Sequence, residues 1–170
     1  MADRMQSTAG LVQFNERLTN SAAFTVLFRE GMDLVEETAA YLDGDGRADA
    51  KVLERAVSLT YATESMRLTT RLMQLASWLL LHRAVKEGEM TLSQANREKT
   101  KVKLSAADPG ADDMLEKLPE PLQALIARSM QLQIKVRRLD ATMHADVAVR
   151  APIGNPLVPQ LNLLKAAFEG

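Results

Sequence analysis

Cysteine is absent from the 170 residues. Disulfides, thiol nucleophiles and Cys-based zinc sites are therefore excluded. A Cys-free chain fits a reducing compartment without establishing one. β-Branched residues are scarce: 11 Val and 3 Ile stand against 25 Leu, 24 Ala and 9 Met. That balance favours helix over a large sheet. Charge of one sign is missing too. The net charge is −1, which argues against a dominant electrostatic grip on nucleic acid or anionic lipid. No long apolar run is present. The longest, Leu72 to Leu81, is interrupted by Gln74 and Ser77, well short of the roughly 20 residues that span a bilayer. Met1 to Thr19 is polar and mixed, without the apolar core of a secretory signal. A soluble, cytoplasmic protein is expected.

What is present is a globular composition of about one domain's length, 46% apolar and 25% charged. Asn20 or Ser21 suits an N-cap. After it Phe24, Leu27, Phe28, Leu34, Val35, Tyr41 and Leu42 recur at helical spacing, with Gly31 and Thr38 on the same stripe. The spacing predicts a helix over 21–42, with Gly31 marking close contact with a neighbouring helix. Asp43-Gly44-Asp45-Gly46 is a strong turn signal. A second helix over 50–87 follows, its apolar side assigned to Leu53, Leu59, Ala62, Met66, Leu72, Met73, Ala76, Leu79 and Leu80. Gly88 is its natural stop.

Thr91 and Gln94 form a capping-box pattern ahead of a short helix over 92–99. Thr100 to Pro119, with a basic run, an acidic run and Pro109-Gly110, reads as a loop. Pro119 and Pro121 open a third helix over 120–144. Its seam is Leu122, Leu125, Leu132, Val136, Leu139 and Met143, with Ser129 in the skipped position. Ile126, Met130 and Ile134 add a second apolar edge. From Asp146 onward, Pro152, Gly154, Pro156 and Pro159 forbid a continuous helix. Yet Leu157, Val158, Leu161, Leu164 and Phe168 cluster there. Two readings stand for that tail: a partner-docking segment, or a strap on its own bundle.

Catalytic and metal chemistry find little support. Asp43, Asp45, Asp49 and Glu54 fall at calcium-loop positions one, three, seven and twelve. Arg47 and Ala48 occupy positions five and six, where a ligand and a glycine are needed. A di-metal carboxylate centre needs Glu three residues before His; Leu79 precedes His82 and Ala141 precedes His144. No nucleophile elbow, phosphate loop or other cofactor motif is visible. Glu64, Arg67 and Arg71 share a helix face, and Glu36 and Glu37 lie on the opposing helix. A salt-bridge strip fixing helix register is preferred there to a ligand site. The stretch Arg83–Lys103 carries six basic and three acidic residues, and Lys135, Arg137 and Arg138 form a second patch. These motivate a small helical DNA-binding regulator as the alternative function, although no hinge-linked helix pair precedes Thr91.

Two strings carry a more specific signal: FREGMDLVEETAAYLDGDGR from Phe28 to Arg47, and YATESMRLTTRLMQLASWLL from Tyr61 to Leu80. In order, with the Asp-Gly turn between them, they resemble the alphaproteobacterial RcdA family, regulators of CtrA degradation. The resemblance implies a three-helix bundle with a flexible C-terminal tail, able to dimerise. It implies a non-enzymatic adaptor of the ClpXP protease that joins CpdR-primed ClpX and delivers cargo such as CtrA. A PopA-like cyclic-di-GMP receptor is an implied partner, and a cell pole an implied cell-cycle-dependent location. No individual contact residue is carried over from the family.

The expected architecture is all-α: an antiparallel three-helix bundle over 1–145 and a flexible docking tail over 146–170, with Leu157, Val158, Leu161, Leu164 and Phe168 as partner-binding residues. The wide apolar faces of the second and third helices also lead us to expect a homodimer.

Overall fold

In the computed structural model, every regular element among the described residues is helical. The structure describes the backbone of residues 2–101 and 114–150, and the side chains of 21–99 and 114–143. Three long helices, α1 (Ala2–Asp43), α3 (Arg55–Lys86) and α5 (Glu120–Arg150), are joined through two short ones, α2 (Asp45–Lys51) and α4 (Leu92–Lys101). A 3₁₀ turn at Leu115–Lys117 leads into α5. The chain divides into two units, Met1–Val136 and Arg137–Gly170. All the core packing below belongs to the first. In the second, Leu139, Asp140 and Met143 are half-buried, and the Thr142 hydroxyl donates to the Arg138 carbonyl at 3.0 Å.

Helix boundaries differ from the sequence reading in four places. α1 begins at Ala2 and passes through Asn20 and Ser21, so neither caps it. A polar helical segment has no apolar stripe to betray it, and no proline interrupts it. The Asp-Gly turn narrows to Gly44, with φ −114°; Gly46 sits buried inside α2. The second predicted helix is broken at Val52–Glu54, where Glu54 turns extended. α5 runs to Arg150, past the predicted end at 144.

Other local signals operate as read. Thr91 N–H donates to Gln94 Oε1 at 3.0 Å, and Gln94 N–H donates to Thr91 Oγ1 at 3.2 Å. This reciprocal box starts α4. Gly88, at φ +78°, is the only positive-φ residue among those described. Its N–H donates to Val85 O and that of Glu89 to Ala84 O, closing α3 in a Schellman motif.

The core is three heptad stripes. α1 buries Phe24, Leu27, Gly31, Leu34 and Thr38; α5 buries Leu122, Leu125, Ser129, Leu132 and Val136. Both match the predicted faces. α3 does not. Its buried stripe is Val57, Glu64, Leu68, Arg71, Leu75, Trp78 and His82, flanked by Leu72 and Leu79. Of the predicted apolar side only Leu72 and Leu79 are fully buried; Leu59, Met66, Met73 and Leu80 are exposed. Three polar residues in the true seam hid its period.

Direction follows from the contacts. Lys86 Nζ donates to Thr25 Oγ1 at 3.0 Å and Phe24 meets Trp78 at 6.2 Å, so α1 and α3 are antiparallel, as predicted. Lys135 pairs with Glu30 at 2.8 Å and Arg128 with Glu37, so α5 also opposes α1. α3 and α5 therefore run parallel, a correction to a simple up-down-up bundle. α5 therefore begins at the end of the bundle where α3 begins.

Leu72→Asp places an unpaired charge at a 4% exposed position. It should destabilise the bundle by at least about 3 kcal/mol. Thermal unfolding by circular dichroism tests this; a parent-like melting temperature would put Leu72 outside the core.

Candidate functional site

The five residues assigned to partner binding, Leu157, Val158, Leu161, Leu164 and Phe168, lie outside the described residues. The described polar constellations are therefore the first to weigh.

At the α1–α2–α3 corner, Tyr61 OH donates to the Gly46 carbonyl at 3.0 Å, and Tyr41 OH donates to Asp49 Oδ2 at 2.9 Å. A Cβ on Gly46 would stand 2.7 Å from Tyr61 OH and 2.6 Å from Tyr41 O, so only glycine fits. This clamp explains the break at Val52–Glu54. An unbroken helix would carry residue 61 about 22 Å along the axis from residue 46. Burial, and then the Asp49 carboxylate, push both tyrosines above their ordinary pKa.

The strip of Glu64, Arg67 and Arg71 is present but connected differently from the reading. Glu64 is buried; its Oε1 accepts from Arg67 at 2.8 Å and its Oε2 has no partner. Arg71, also buried, donates to Ser129 Oγ at 2.9 Å, and Ser129 donates to the Ile126 carbonyl at 2.7 Å. Glu37 turns to α5, where both guanidinium nitrogens of Arg128 hold it, one at 3.0 Å. That hydrogen bonding holds the Glu37 carboxyl below the usual carboxylate range. The interhelix ion pairs thus join α1 to α5, while α3 and α5 are joined by Arg71 and Ser129.

Neither feature is arranged for catalysis. The acidic loop residues are divided: Asp43 pairs with Arg47 at 3.2 Å, and Asp49 takes the Tyr41 hydrogen bond. Among the described residues no three His, Cys, Asp or Glu side chains gather as a metal site. His82 is buried against Trp78, with ring centroids 4.1 Å apart, and the His144 side chain lies outside the described set. No described helix is long and apolar enough to cross a membrane.

Three residues of the basic patches are engaged within the protein. Arg83 pairs with Glu87 at 2.9 Å and lies over Phe28; Lys86 reaches Thr25 and lies over Phe24. Lys135 is held by Glu30. Apolar surface is present as well. A groove of about 310 Å³ runs between α1 and α3, walled by Val35, Leu42, Leu72, Met73 and Ala76. Beside it rises an exposed row of Leu and Met on α3 that the sequence reading had assigned to the core. Its seven-residue spacing was the signal that a second, outward seam existed.

Comparison with known proteins gives three findings. The family model described as Protein of unknown function (DUF1465) matches residues 15–168. The crystal structure of RcdA from Caulobacter crescentus CB15 matches with 55% identity and a TM-score of 0.59, over 71% of this chain and 89% of that one. No curated protein matches.

The chain's two tyrosines both sit in the α2 clamp. Their pKa values are raised on folding, so the protonated hydroxyls stabilise the fold fully below the unfolded value of about 10. That contribution is lost as pH rises through the higher folded values. In an ultraviolet pH titration both tyrosines of the native protein should therefore ionise at higher pH than in the unfolded chain, where the value is about 10. Free titration of either tyrosine at its ordinary value would refute the clamp.

Proposed function

The chain belongs to the RcdA family, described as Protein of unknown function (DUF1465), and we propose that it is a non-enzymatic adaptor for regulated proteolysis. The observation that carries this reading is the 55% identity to RcdA over most of both chains. The two strings that prompted the resemblance fall on α1–α2 and α3, which build the core. In this reading the protein joins CpdR-primed ClpXP and brings cargo such as CtrA, with a PopA-like cyclic-di-GMP receptor as a further partner. It acts as a homodimer in the cytoplasm, concentrated at a cell pole in step with the cell cycle.

An adaptor needs surfaces rather than a reaction centre, and the described residues fit that need. Glu30, Glu37, Arg128 and Lys135 are engaged between helices, while Leu59, Met66, Met73 and Leu80 face outward on α3. The DNA-binding alternative is weakened at three of its residues, since Arg83 and Lys135 are paired with Glu87 and Glu30 and Lys86 is held by Thr25.

The tail over 146–170 is proposed as a docking element, with Leu157, Val158, Leu161, Leu164 and Phe168 as its contacts. Pro152, Pro156 and Pro159 favour an extended lead-in. Leu161, Leu164 and Phe168 then present one apolar face over two turns, too short to be helical alone in water. Tethering raises the local concentration of whatever the tail holds.

Reconstituted degradation tests both levels. With ClpXP and CpdR, the full chain should accelerate loss of cargo, and no acceleration of any candidate cargo would sink the adaptor reading. Truncation after Arg150 should leave the melting temperature nearly unchanged while delivery falls. A drop of many degrees would make the tail part of the core; unchanged melting with full delivery would make it dispensable.

A further inference from the structure

We propose that the crevice between α1 and α3 seats one helix of a partner protein, a helix apolar at one end of its contact face and acidic at the other. That the partner is a protein rests on the adaptor reading above; its chemistry and orientation come from the crevice itself.

Two grooves lie along this crevice. In the first, of about 310 Å³, Val35, Ala39 and Leu42 face Thr69, Met73 and Ala76. In the second, of about 430 Å³, Thr25 and Phe28 face Arg83 and Glu87. On α1, Thr25, Phe28, Met32, Val35, Ala39 and Leu42 step by three and four. On α3, Thr69, Met73, Ala76, Leu80, Arg83 and Glu87 do the same. Each set is therefore one line along its helix. The helices are antiparallel, so the lines run side by side, with Met32 and Leu80 between the grooves. From Thr25 to Leu42 the crevice is about 25 Å long. Glu30 and Glu37, which meet α5, stand about 200° round α1 from Phe28 and Val35. The crevice thus lies on the side that α5 leaves open, and a helix laid there packs as a further member of the bundle.

The two ends differ in charge. In the first groove the only ionisable lining residue is Asp43, paired with Arg47 at 3.2 Å. In the second, Arg29, Arg83 and Lys86 stand against Glu87 alone. The contacts of these cations orient them more than they neutralise them. Arg83 lies 5.0 Å from the Phe28 ring centre and Lys86 5.7 Å from that of Phe24. Lys86 also donates to a neutral hydroxyl, Thr25 Oγ1, at 3.0 Å. Arg83 donates through Nε to Glu87 at 2.9 Å, so its Nη groups can meet a second carboxylate. Arg29 is exposed and has no ion pair among the described residues. Carboxylates complement such donors, and no cation lines the first groove to receive them there. Charge therefore fixes which way the partner helix lies.

Nucleic acid is the poorer match. Base stacking needs open aromatic faces. Arg83 and Lys86 lie over these rings, and Phe24 is buried against Trp78 at 6.2 Å. Three cations at one end also fall short of the roughly 6–10 phosphate contacts of a firm electrostatic grip.

Peptide binding tests this. The probe is a fluorescein-labelled helical peptide of about 18 residues, long enough to fill the crevice. It carries Leu on one face over its first half and three Glu on that face over its second. Fluorescence anisotropy should saturate with the full chain, and replacing the Glu by Gln should weaken binding at least about 10-fold. Arg29→Glu should weaken the acidic peptide by at least about as much, and a peptide with Lys in place of Glu should then bind that variant more tightly. Ala39→Trp fills the apolar groove without changing charge, and should weaken the Glu and Gln peptides alike. Both positions are exposed, so circular dichroism should report unchanged helix content. No saturable binding of the acidic peptide up to about 1 mM overturns the crevice as a site. Equal affinity for the Glu and Gln peptides, or binding untouched by Arg29→Glu, overturns the acidic partner. A single-stranded oligonucleotide that binds more tightly and displaces the peptide at physiological salt overturns the protein partner. Cargo delivery in the degradation assay without peptide binding overturns the crevice alone, whereas peptide binding without delivery of any cargo overturns the adaptor reading alone.

Discussion

Three helices come together at Gly31, and the registers of the bundle follow from that closeness. A Cβ at this position would collide with Leu79 Cδ1 of α3 and stand 3.6 Å from Leu132 Cδ2 of α5. Glycine inside a helix costs about 1 kcal/mol against alanine. Here the missing side chain lets two leucines fill the space against the α1 backbone. Moving outward from that point, α1 meets α3 through Phe24 and Trp78 on one side, and through Thr38 and the groove on the other. It meets α5 through Glu30–Lys135, beside Gly31, and through Glu37–Arg128, about two turns further along the contact. A one-turn slip would unseat Gly31 and mispair both ion pairs.

Against that frame, the polar layer of α3 acts on register more than on stability. Burying Glu64 and Arg71 forfeits hydration that their interactions only partly return, so such groups contribute little net free energy. Arg71 nonetheless reaches Ser129, whose own proton is committed to Ile126 O. The guanidinium finds that acceptor at a single offset of α3 against α5. The interhelix ion pairs described join α1 to α5, and this hydrogen bond supplies polar specificity to the parallel α3–α5 pair.

The legibility of the sequence follows the same division. α5 was readable because its seam is apolar apart from Ser129, which falls in the pattern as a small residue. α1 was readable from Phe24 to Thr38 for the same reason, and Gly31 was correctly read as a point of close approach. α4 and the end of α3 were readable from local chemistry alone, the Thr91–Gln94 box and Gly88. α3 itself was inverted: Glu64, Arg71 and His82 lie inward while Leu59, Met66, Met73 and Leu80 lie outward, so counting apolar residues selected the wrong face. The break at Val52–Glu54 was invisible because its cause is tertiary. Tyr61 must reach Gly46, and no residue at the break itself announces that. Of the candidate sites, the five tail residues fall where the structure gives no description, and the outward seam was present in the sequence but counted as core.

The inversion of α3 also orders the surface. Charged pairs are gathered along the α1–α5 edge, where Glu30, Glu37, Arg128 and Lys135 satisfy one another at the solvent boundary. Exposed pairs of this kind add at most about 1 kcal/mol each, yet they consume the charges that would otherwise attract polyelectrolytes. The α3 side is left uncharged and apolar, with the groove and the Leu–Met row side by side. A continuous outward apolar seam is a liability for a solitary globule, since it invites nonspecific association. Its regular spacing, and the Thr63, Thr69 and Ser77 hydroxyls that donate to carbonyls of their own helix, are the features of a surface shaped for a helix. On this face recognition rests on shape and apolar contact, because between Arg55 and Arg83 the outward line of α3 carries no charge.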